Sequence, residues 1–377
     1  MNIEVMNNYI NGQWVKSVSK DIKDIINPAT DEVIARVPMS TLDEVTCAVK
    51  AAKEAYSYWR ETPPISRARY LFRLKDLVEE NFEELAKTIV EENGKTIDEA
   101  RGEIRRGIEN IETSTAITTL MMGYNLEDVA AGIDEYVIYQ PLGVFVGIPP
   151  YNFPFMIPLL FLPYAIACGN TYILKPSEQV PLTQNKFFQL IDEVGFPPGV
   201  INLVNGCKDV SEALINNPDV KGISFVGSTK VAKLIYSLAS SKGKRVQCQG
   251  GAKNFVLVMP DTNLESTIPA LITSFYGCAG QRCLAGSVVI AVGSIYNTLK
   301  ERFVEQALKL KIGNGLDETV QMGPLASKKQ KDIVLSYIEI GIKEGAELIL
   351  DGRKIIVKEY PNGAFLGPTI FEFSLIN

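Results

Sequence analysis

Histidine is absent from the 377 residues of the chain. This absence excludes a Ser–His or Cys–His catalytic pair and any metal site that needs imidazole ligands. Cysteine is sparse, and the six cysteines are scattered: Cys47, Cys168, Cys207, Cys248, Cys278 and Cys283. Because they are scattered through a long chain without an export signal, we expect reduced thiols and not disulfides. Cys278 and Cys283 lie close together, but no second pair completes a zinc site, so no metal is expected.

The chain also lacks an export signal and any block of basic residues. Met1 to Val15 is polar and mixed, so a cytoplasmic protein is expected. The net charge is −6, which together with the absence of Lys/Arg runs argues against a nucleic-acid partner. Apolar residues make up 46% of the chain and charged residues 22%, as is ordinary for a globular enzyme.

One long stretch, Tyr136 to Leu174, carries no charged residue. A membrane helix is one interpretation of it. Six prolines interrupt the stretch: Pro141, Pro149, Pro150, Pro154, Pro158 and Pro163. Since proline breaks helices and frees backbone groups that then need partners, a buried strand, a loop and a buried helix fit better, and no membrane partner is expected.

The N-terminal third combines short strands with long helices. Turn signals at Asn11-Gly12 and Pro28 predict short strands within residues 7–39. The segment Thr41-Leu-Asp-Glu44 is a capping box that opens a helix through about Trp59. A second long helix is predicted from about Ser66 to Glu92, and a third from near Ile97 past Ile111.

Beyond residue 140 the pattern changes to short apolar runs that alternate with helical segments. The predicted strands are Val144–Ile148, Tyr172–Leu174, Val200–Val204, Ile223–Val226, Phe255–Met259 and Ser287–Ala291. The predicted helices are Ile157–Ala167, Leu182–Val194, Asp209–Asn216, Lys230–Ser240, Leu264–Tyr276 and Ile295–Leu310. This alternation predicts an α/β fold with parallel sheets, whose ligands bind at the carboxyl ends of the strands. Asn152, Lys175 and Gly227 each follow a strand.

Three stretches could carry chemistry. Cys283 ends the loop Gly280-Gln-Arg-Cys283, although a buried structural cysteine is the more ordinary interpretation of this loop taken alone. Lys175 and Glu178 lie at a strand end, where a carboxylate commonly binds a ribose diol. Gly227-Ser228 precedes a helix N-terminus, which is a ready anion site but a weak signal alone.

Taken together, these stretches resemble the aldehyde dehydrogenases. The five ordered motifs are Pro150-Tyr-Asn-Phe-Pro154, Lys175-Pro-Ser-Glu178, Phe225-Val-Gly-Ser228, Gly250-Gly-Ala-Lys253 and Gly280-Gln-Arg-Cys283. The likeness runs from about Tyr9 to the end of the chain. It is greatest to the CoA-acylating methylmalonate-semialdehyde dehydrogenases, because Leu120-Met-Met-Gly123 and Gln321-Met-Gly-Pro-Leu325 also resemble motifs of that branch.

The resemblance implies two three-layer α/β domains with parallel sheets, one of them Rossmann-like. Residues 1–120 and 141–252 would form the NAD-binding domain, residues 121–140 an oligomerisation hairpin, and residues 253–377 a catalytic domain that is incomplete at its C-terminus. NAD would be the cofactor and coenzyme A a co-substrate. A homodimer or homotetramer is implied if the remaining C-terminal part is supplied.

The resemblance also implies a role for each site residue. Cys283 would attack the aldehyde and form a thioester, while Asn152 would help to hold the oxyanion. Arg106, with Arg105 beside it, and Arg282 would bind the carboxylate of the substrate. The implied coenzyme-binding residues are Pro150, Lys175, Ser177, Glu178, Gly227, Ser228 and Gln249.

Two departures from the family pattern leave alternatives open. The position of the general-base glutamate in hydrolytic relatives is Gln249 here, which favours transfer of the acyl group to coenzyme A over hydrolysis to a free acid. Relatives continue for roughly a further quarter of their length beyond Asn377, so a truncated or split, inactive subunit is the other hypothesis.

Overall fold

The computed structural model describes residues 3–373, and the chain forms two compact units. The first unit contains the residues up to Ile25, Ala35–Leu85 and Glu103–Gly250. The second contains Ile26–Ile34, Ala86–Gly102 and the residues from Gly251 onward. Residues 26–34 and 86–102 therefore belong to the second unit, whereas the predicted domain assignment grouped them with the coenzyme domain.

The helices are bounded as follows: α1 Leu42–Trp59, α2 Pro64–Glu80, α3 Phe82–Asn93, α4 Ile97–Thr115, α5 Ile117–Leu120, α6 Met156–Leu159, α7 Leu162–Ala167, α8 Leu182–Val194, α9 Lys208–Asn216, α10 Thr229–Ser240, α11 Leu264–Tyr276, α12 Tyr296–Leu308 and α13 Lys328–Lys343. The strands are β1 Asn8–Ile10, β2 Gln13–Val15, β3 Ile22–Ile26, β4 Val33–Pro38, β5 Asn125–Ala130, β6 Ile133–Tyr136, β7 Val144–Ile148, β8 Thr171–Leu174, β9 Ile201–Leu203, β10 Val220–Val226, β11 Arg245–Gln249, β12 Asn254–Val258, β13 Gly286–Ala291, β14 Glu347–Leu350 and β15 Ile370–Glu372.

The first unit is built on a seven-stranded sheet in the order β11-β10-β7-β8-β9-β1-β2. Strands β11 to β9 are parallel, and the β1–β2 hairpin adds an antiparallel edge through Tyr9 opposite Leu203. The predicted parallel sheet is thus confirmed, and four of its five parallel strands were predicted. The predictions did not include β11, whose residues alternate between exposed and half-buried at the sheet edge.

Helices pack against this sheet. A core cluster joins Val146, Ile173 and Ile223 of the strands to Val49 of α1 and Ile235 of α10. The expected capping box starts α1, because Thr41 Oγ1 accepts the Glu44 N–H and a Glu44 carboxylate oxygen accepts the Thr41 N–H. Segment 121–140 contains the antiparallel β5–β6 hairpin, whose strands are exposed throughout.

Two helices that were predicted as continuous are each divided into two in the structure. The helix predicted from Ser66 to Glu92 is divided into α2 and α3 at Asn81, whose side-chain amide donates to the Leu77 carbonyl at 2.9 Å. The helix predicted over Ile157–Ala167 is divided into α6 and α7. Pro163 has no N–H to continue the helical hydrogen bonds across that junction.

The second unit contains the parallel pair β12–β13, the antiparallel pair β14–β15 and helices that include α11, α12 and α13. One face of β12–β13 packs through Val258 onto Ile268, Leu271 and Phe303 of α11 and α12. On the other face Phe255 lies opposite Val288, and both side chains are exposed. Among residues 3–373, no helix combines the length and apolarity needed to cross a bilayer.

Candidate active site

The first unit has a topological switch point between β7 and β10. From β7 the chain moves outward through β8 and β9, then returns to place β10 on the other side of β7. In open sheets of this kind, ligands bind in the crevice beyond the carboxyl ends of the two central strands. The residues that follow β7 and β10 include Pro150, which is half-buried, and the predicted pair Gly227 and Ser228.

Lys175 and Glu178 lie together after β8, the strand beside β7. The Lys175 ammonium is buried and lies 3.5 Å from the Glu178 carboxylate, which is also 4.0 Å from Lys23. Burial lowers the pKa of Lys175, and the charge of Glu178 opposes that shift. Burial acts to raise the pKa of Glu178, but the charges of Lys175 and Lys23 and the hydrogen bonds to the carboxylate together outweigh burial and leave the pKa below its usual value. A carboxylate that stays ionised is suited to accept hydrogen bonds from a ribose diol.

Ser177 completes this loop as a turn residue. Its hydroxyl oxygen accepts the Gln179 N–H at 3.3 Å. Lys175 is fixed from the sheet, because its N–H donates to the Gly147 carbonyl of β7 at 2.9 Å. The predicted residues Lys175, Ser177 and Glu178 are therefore brought together on one short loop.

Gly227 and Ser228 form the entry to α10. Ser228 is the N-cap residue, and its hydroxyl accepts the Val231 N–H at 3.4 Å. A Cβ atom at Gly227 would overlap the Phe225 ring, so the turn requires glycine. The Gly227 N–H donates at 3.0 Å to the carbonyl of Gln249, the exposed last residue of β11. An exposed helix N-terminus suits an anion such as a pyrophosphate.

The loop that carries Asn152 is held by a buried carboxylate. Glu103 on α4 accepts the backbone N–H of Phe155 at 2.7 Å and that of Met156 at 3.1 Å. Glu103 is 2% exposed. Asn152 itself is half-buried. Glu103 thus satisfies backbone donors at the start of α6, three and four residues after Asn152.

The adjacent arginines on α4 differ in their partners. Arg105 makes a two-pronged contact with Glu79, at 2.6 and 3.2 Å, and its guanidinium lies over the Phe82 ring. The side chain of Arg106 is 71% exposed and lies 3.9 Å from Glu109. An arginine held bidentately by a carboxylate has less capacity for a second one, so Arg106 is better placed to receive a ligand.

In the second unit, Cys283 follows a turn with an uncommon backbone. Cys278, Ala279 and Gly280 all have positive φ values, of 52°, 51° and 75°. For residues other than glycine the left-handed region costs about 1–2 kcal/mol each. Cys283 is half-buried, and its carbonyl accepts the Asn254 side-chain amide at 3.0 Å, which also donates to Ala285 at 2.8 Å.

The same turn is tied down by two further side chains. Glu99 on α4 accepts the Cys278 N–H at 2.6 Å. The Gln281 side-chain amide donates to the Cys278 carbonyl at 3.0 Å, and its oxygen accepts the Ala326 N–H at 3.2 Å. Arg282, which was predicted to bind the substrate carboxylate, is exposed and donates to the Thr273 carbonyl at 3.2 Å.

The predictions missed Glu99, Glu103, Asn254 and Gln281. The spacing Thr96-x-x-Glu99 matches a capping box and could have singled out Glu99. Glu103 and Asn254 bond to backbone groups distant in sequence, and Gln281 joins the nearby Cys278 carbonyl to the distant Ala326 N–H. Bonds of this kind leave no recognisable pattern in the local sequence. No group of three or more cysteine or carboxylate side chains able to hold a metal ion occurs within residues 3–373.

Comparisons with known proteins agree with this architecture. The model of the aldehyde dehydrogenase family matches residues 14–374. Malonate-semialdehyde dehydrogenase 2 of Geobacillus kaustophilus (strain HTA426) is 49% identical over 98% of this chain and 76% of its own length.

Two solved structures are similar throughout the matched part. Methylmalonate-semialdehyde dehydrogenase from Oceanimonas doudoroffii is 40% identical with a TM-score of 0.95, covering 98% of this chain and 76% of that one. A protein of Sinorhizobium meliloti 1021 assigned as a methylmalonate-semialdehyde dehydrogenase, and complexed with NAD, is 41% identical with a TM-score of 0.95, covering 98% and 75%. The resemblance and the fold predicted from the motifs are confirmed: the chain belongs to the aldehyde dehydrogenase family.

Proposed function

We propose that this protein oxidises malonate semialdehyde or methylmalonate semialdehyde with NAD and transfers the acyl group to coenzyme A. The observation that carries the proposal is the 49% identity, over 98% of the chain, to a malonate-semialdehyde dehydrogenase. Acetyl-CoA or propionyl-CoA and CO2 would be the products. The substrates are short aldehydes that carry a carboxylate, and the exposed guanidinium of Arg106 suits such a group.

Cys283 is the nucleophile in this proposal. Its thiolate would add to the aldehyde carbonyl to give a thiohemiacetal, and the resemblance to the family implies that the Asn152 amide and the Cys283 N–H would hold the oxyanion. A hydrogen-bond donor of this kind typically increases the reaction rate ~10²–10³-fold. NAD, when bound, would supply the hydride acceptor for this carbon, which would leave the acyl group as a thioester on Cys283. The carboxylate would leave as CO2 with a proton taken up at the α-carbon, and the sulfur of coenzyme A would then take the acyl group and release the Cys283 thiol.

The coenzyme would be held by residues of the first unit. Glu178, kept ionised beside Lys175, would accept the hydroxyls of the adenosine ribose. Ser228 and the first turn of α10 would bind the pyrophosphate. Pro150, Ser177, Gly227 and Gln249 would complete the coenzyme-binding surface. These residues lie at or just beyond the carboxyl ends of β7, β8, β10 and β11, as expected for a nucleotide in a doubly wound sheet.

Gln249 favours release of the acyl group to a thiol. Hydrolysis needs an activated water, and a carboxylate near the thioester normally supplies the base. Gln249 cannot accept a proton at any useful pH, and the chain has no histidine. A thiol such as coenzyme A needs less assistance, because a few per cent is already thiolate near neutral pH.

The test is NADH formation, followed at 340 nm, with malonate semialdehyde in the presence and absence of coenzyme A. Without coenzyme A we expect a burst of about one NADH per active site and then a slow phase. Coenzyme A should restore steady turnover and yield acetyl-CoA. Steady turnover without coenzyme A, with a free acid as product, would favour the hydrolytic alternative instead.

A matched variant tests the role of Gln249 in the same assay. Gln249→Glu introduces a carboxylate at the position and leaves the size of the side chain nearly unchanged. It should raise the slow phase seen without coenzyme A, because the carboxylate can accept a proton from water. An unchanged slow phase would mean that the neutral amide is not what limits hydrolysis.

A further inference from the structure

The turn before Cys283 depends on a carboxylate from another helix. Glu99 is the third residue of α4, and its backbone N–H donates to Thr96 Oγ1 at 3.4 Å. One Glu99 carboxylate oxygen accepts the Thr96 N–H at 3.0 Å. The other accepts the Cys278 N–H at 2.6 Å, across 179 positions of sequence. A single side chain therefore completes the N-terminal cap of α4 and anchors the turn.

The hydrogen bond between Glu99 and Cys278 acts where the backbone conformation of the turn is least favourable. Cys278 and Ala279 have φ values of 52° and 51°, in a region that side chains other than glycine rarely adopt. Such conformations persist only where surrounding interactions over-determine them. The Cys278 N–H is bonded by Glu99 and the Cys278 carbonyl by Gln281, so both sides of the first left-handed residue are fixed.

Arg282 and Glu99 pack closely around Gly277, the residue before the turn. A Cβ atom there would overlap the Arg282 guanidinium and lie 3.2 Å from a Glu99 carboxylate oxygen. Glu99 and Arg282 thus flank the same glycine, one residue before the strained turn. The position of Arg282, and of Cys283 beside it, follows from how residues 277–280 are held.

We propose that Glu99 is a positioning residue for Cys283, acting through its hydrogen bond to the Cys278 backbone. This inference rests on the proposed role of Cys283 as the nucleophile. Glu99 does not touch the substrate in this account. Its carboxylate holds the left-handed turn, and the turn aims the Cys283 sulfur and orients its N–H.

The test compares Glu99→Ala with Asp98→Ala in the full chain. Asp98 is the neighbouring acidic residue in the first turn of α4 and pairs with Arg101 at 3.2 Å, so it is a matched control for charge and helix position. Glu99→Ala should lower kcat by about 10- to 100-fold, since small misplacements of a reacting group have effects of this size. The KM for NAD should stay within about twofold, because coenzyme binding does not involve this turn.

Two further measurements separate positioning from general stability. Amide hydrogen exchange in residues 277–283 should be faster in Glu99→Ala and unchanged in Asp98→Ala. Ala279→Gly, added to Glu99→Ala, should restore part of kcat, because glycine adopts the left-handed conformation without steric cost. Glu99→Gln keeps an oxygen acceptor and should retain most of the activity.

The outcomes are distinguishable. A Glu99→Ala protein with kcat within about twofold of the unaltered chain would overturn the inference, as would equal losses in Glu99→Ala and Asp98→Ala. Cys283→Ala with retained dehydrogenase activity would instead overturn the proposed function and this inference with it. Loss of activity in Cys283→Ala, with no effect of Glu99→Ala on either kcat or exchange, would remove the positioning role alone.

Discussion

Glu103 accepts the backbone N–H groups of Phe155 and Met156, at 2.7 and 3.1 Å, with a side chain that is only 2% exposed. The Phe155 ring also fills the space beside Gly107, where a Cβ atom would overlap it. Helix α4 therefore holds the chain after Asn152 by a carboxylate and by close packing. This pair of contacts determines where the proposed oxyanion donor can lie.

Removing that carboxylate should affect both stability and rate. Glu103→Ala leaves buried N–H groups without their acceptor, which costs about 1–3 kcal/mol of the free energy of unfolding. We expect a lower Tm and a kcat reduced by about tenfold or more. Glu112→Ala, an exposed glutamate on the same helix, is the control and should change neither quantity appreciably. Equal effects of the two variants in denaturation and NADH assays would contradict the assignment.

Cys283 should be the cysteine whose modification abolishes activity. Burial raises the pKa of the Cys248 thiol and, in spite of the nearby Arg67 charge, that of the Cys168 thiol. Because the thiolate is the reactive form, a raised pKa slows the alkylation of these two cysteines by iodoacetamide. Cys47 is exposed and would compete, so the experiment is best done with Cys47→Ser.

In that background, peptide mass spectrometry should find Cys283 alkylated first, in step with loss of NADH formation, and NAD should alter the rate. Cys283→Ala should form no acyl-enzyme. Full activity in Cys283→Ala, or inactivation that follows Cys207 or Cys278 instead, would show that the nucleophile is elsewhere.

Coenzyme choice should follow from Glu178. Its carboxylate would repel the 2′-phosphate of NADP, so NAD should be preferred, and Glu178→Gln should narrow the ratio of kcat/KM for the two coenzymes. The pKa of Glu178 is lowered by Lys175, so the carboxylate stays ionised below its ordinary value of 4.5. Both the preference and the stability that the pair contributes should therefore persist as the pH falls to about 5 and be lost only in more acidic solution.

Isothermal titration with NAD between pH 8 and pH 5 measures this directly. A dissociation constant that rises steeply between pH 7 and pH 5 would contradict the assignment. So would an unaltered chain that prefers NADP.

The arginines should decide specificity for carboxylate-bearing aldehydes. Arg106→Leu and Arg282→Leu should each raise the KM for malonate semialdehyde by about tenfold or more, with propanal little affected, because bidentate capture of a carboxylate needs the guanidinium. Arg105→Leu is the control, since Arg105 is already paired with Glu79. Equal losses with both aldehydes would indicate damage around Cys283 instead of a lost carboxylate contact.

The sequence predicted the α/β class and most of the strands and helices because their patterns are local. The capping box at Thr41 and the turn at Asn11-Gly12 were recognisable for the same reason. The division of α2 from α3 was not recognisable, because the apolar spacing continues across Asn81. The end of α2 is marked by the conformation of Asn81 and by its hydrogen bonds to Leu77. The left-handed conformation of Cys278 and Ala279 was also hidden, since neither residue type favours it.

The candidate site was predictable where motifs are contiguous, as in the loop from Lys175 to Glu178. The residues that hold the site in place were not predictable. The partners of Glu99 and Glu103 are backbone groups, which have the same chemistry in every residue and leave no trace in the sequence of the loop they hold.

The antiparallel edge of the sheet has a consequence for synthesis of the chain. The Asn11 N–H donates to Asn202 Oδ1, which follows 191 positions later, and β1 pairs with β9 at Leu203. At typical translation rates the β1–β2 hairpin leaves the ribosome roughly 10–40 s before its partner strand exists. During that interval β1 has an unpaired edge next to the apolar side chains of Tyr9 and Ile10, so this edge of the sheet can close only after β9 has emerged.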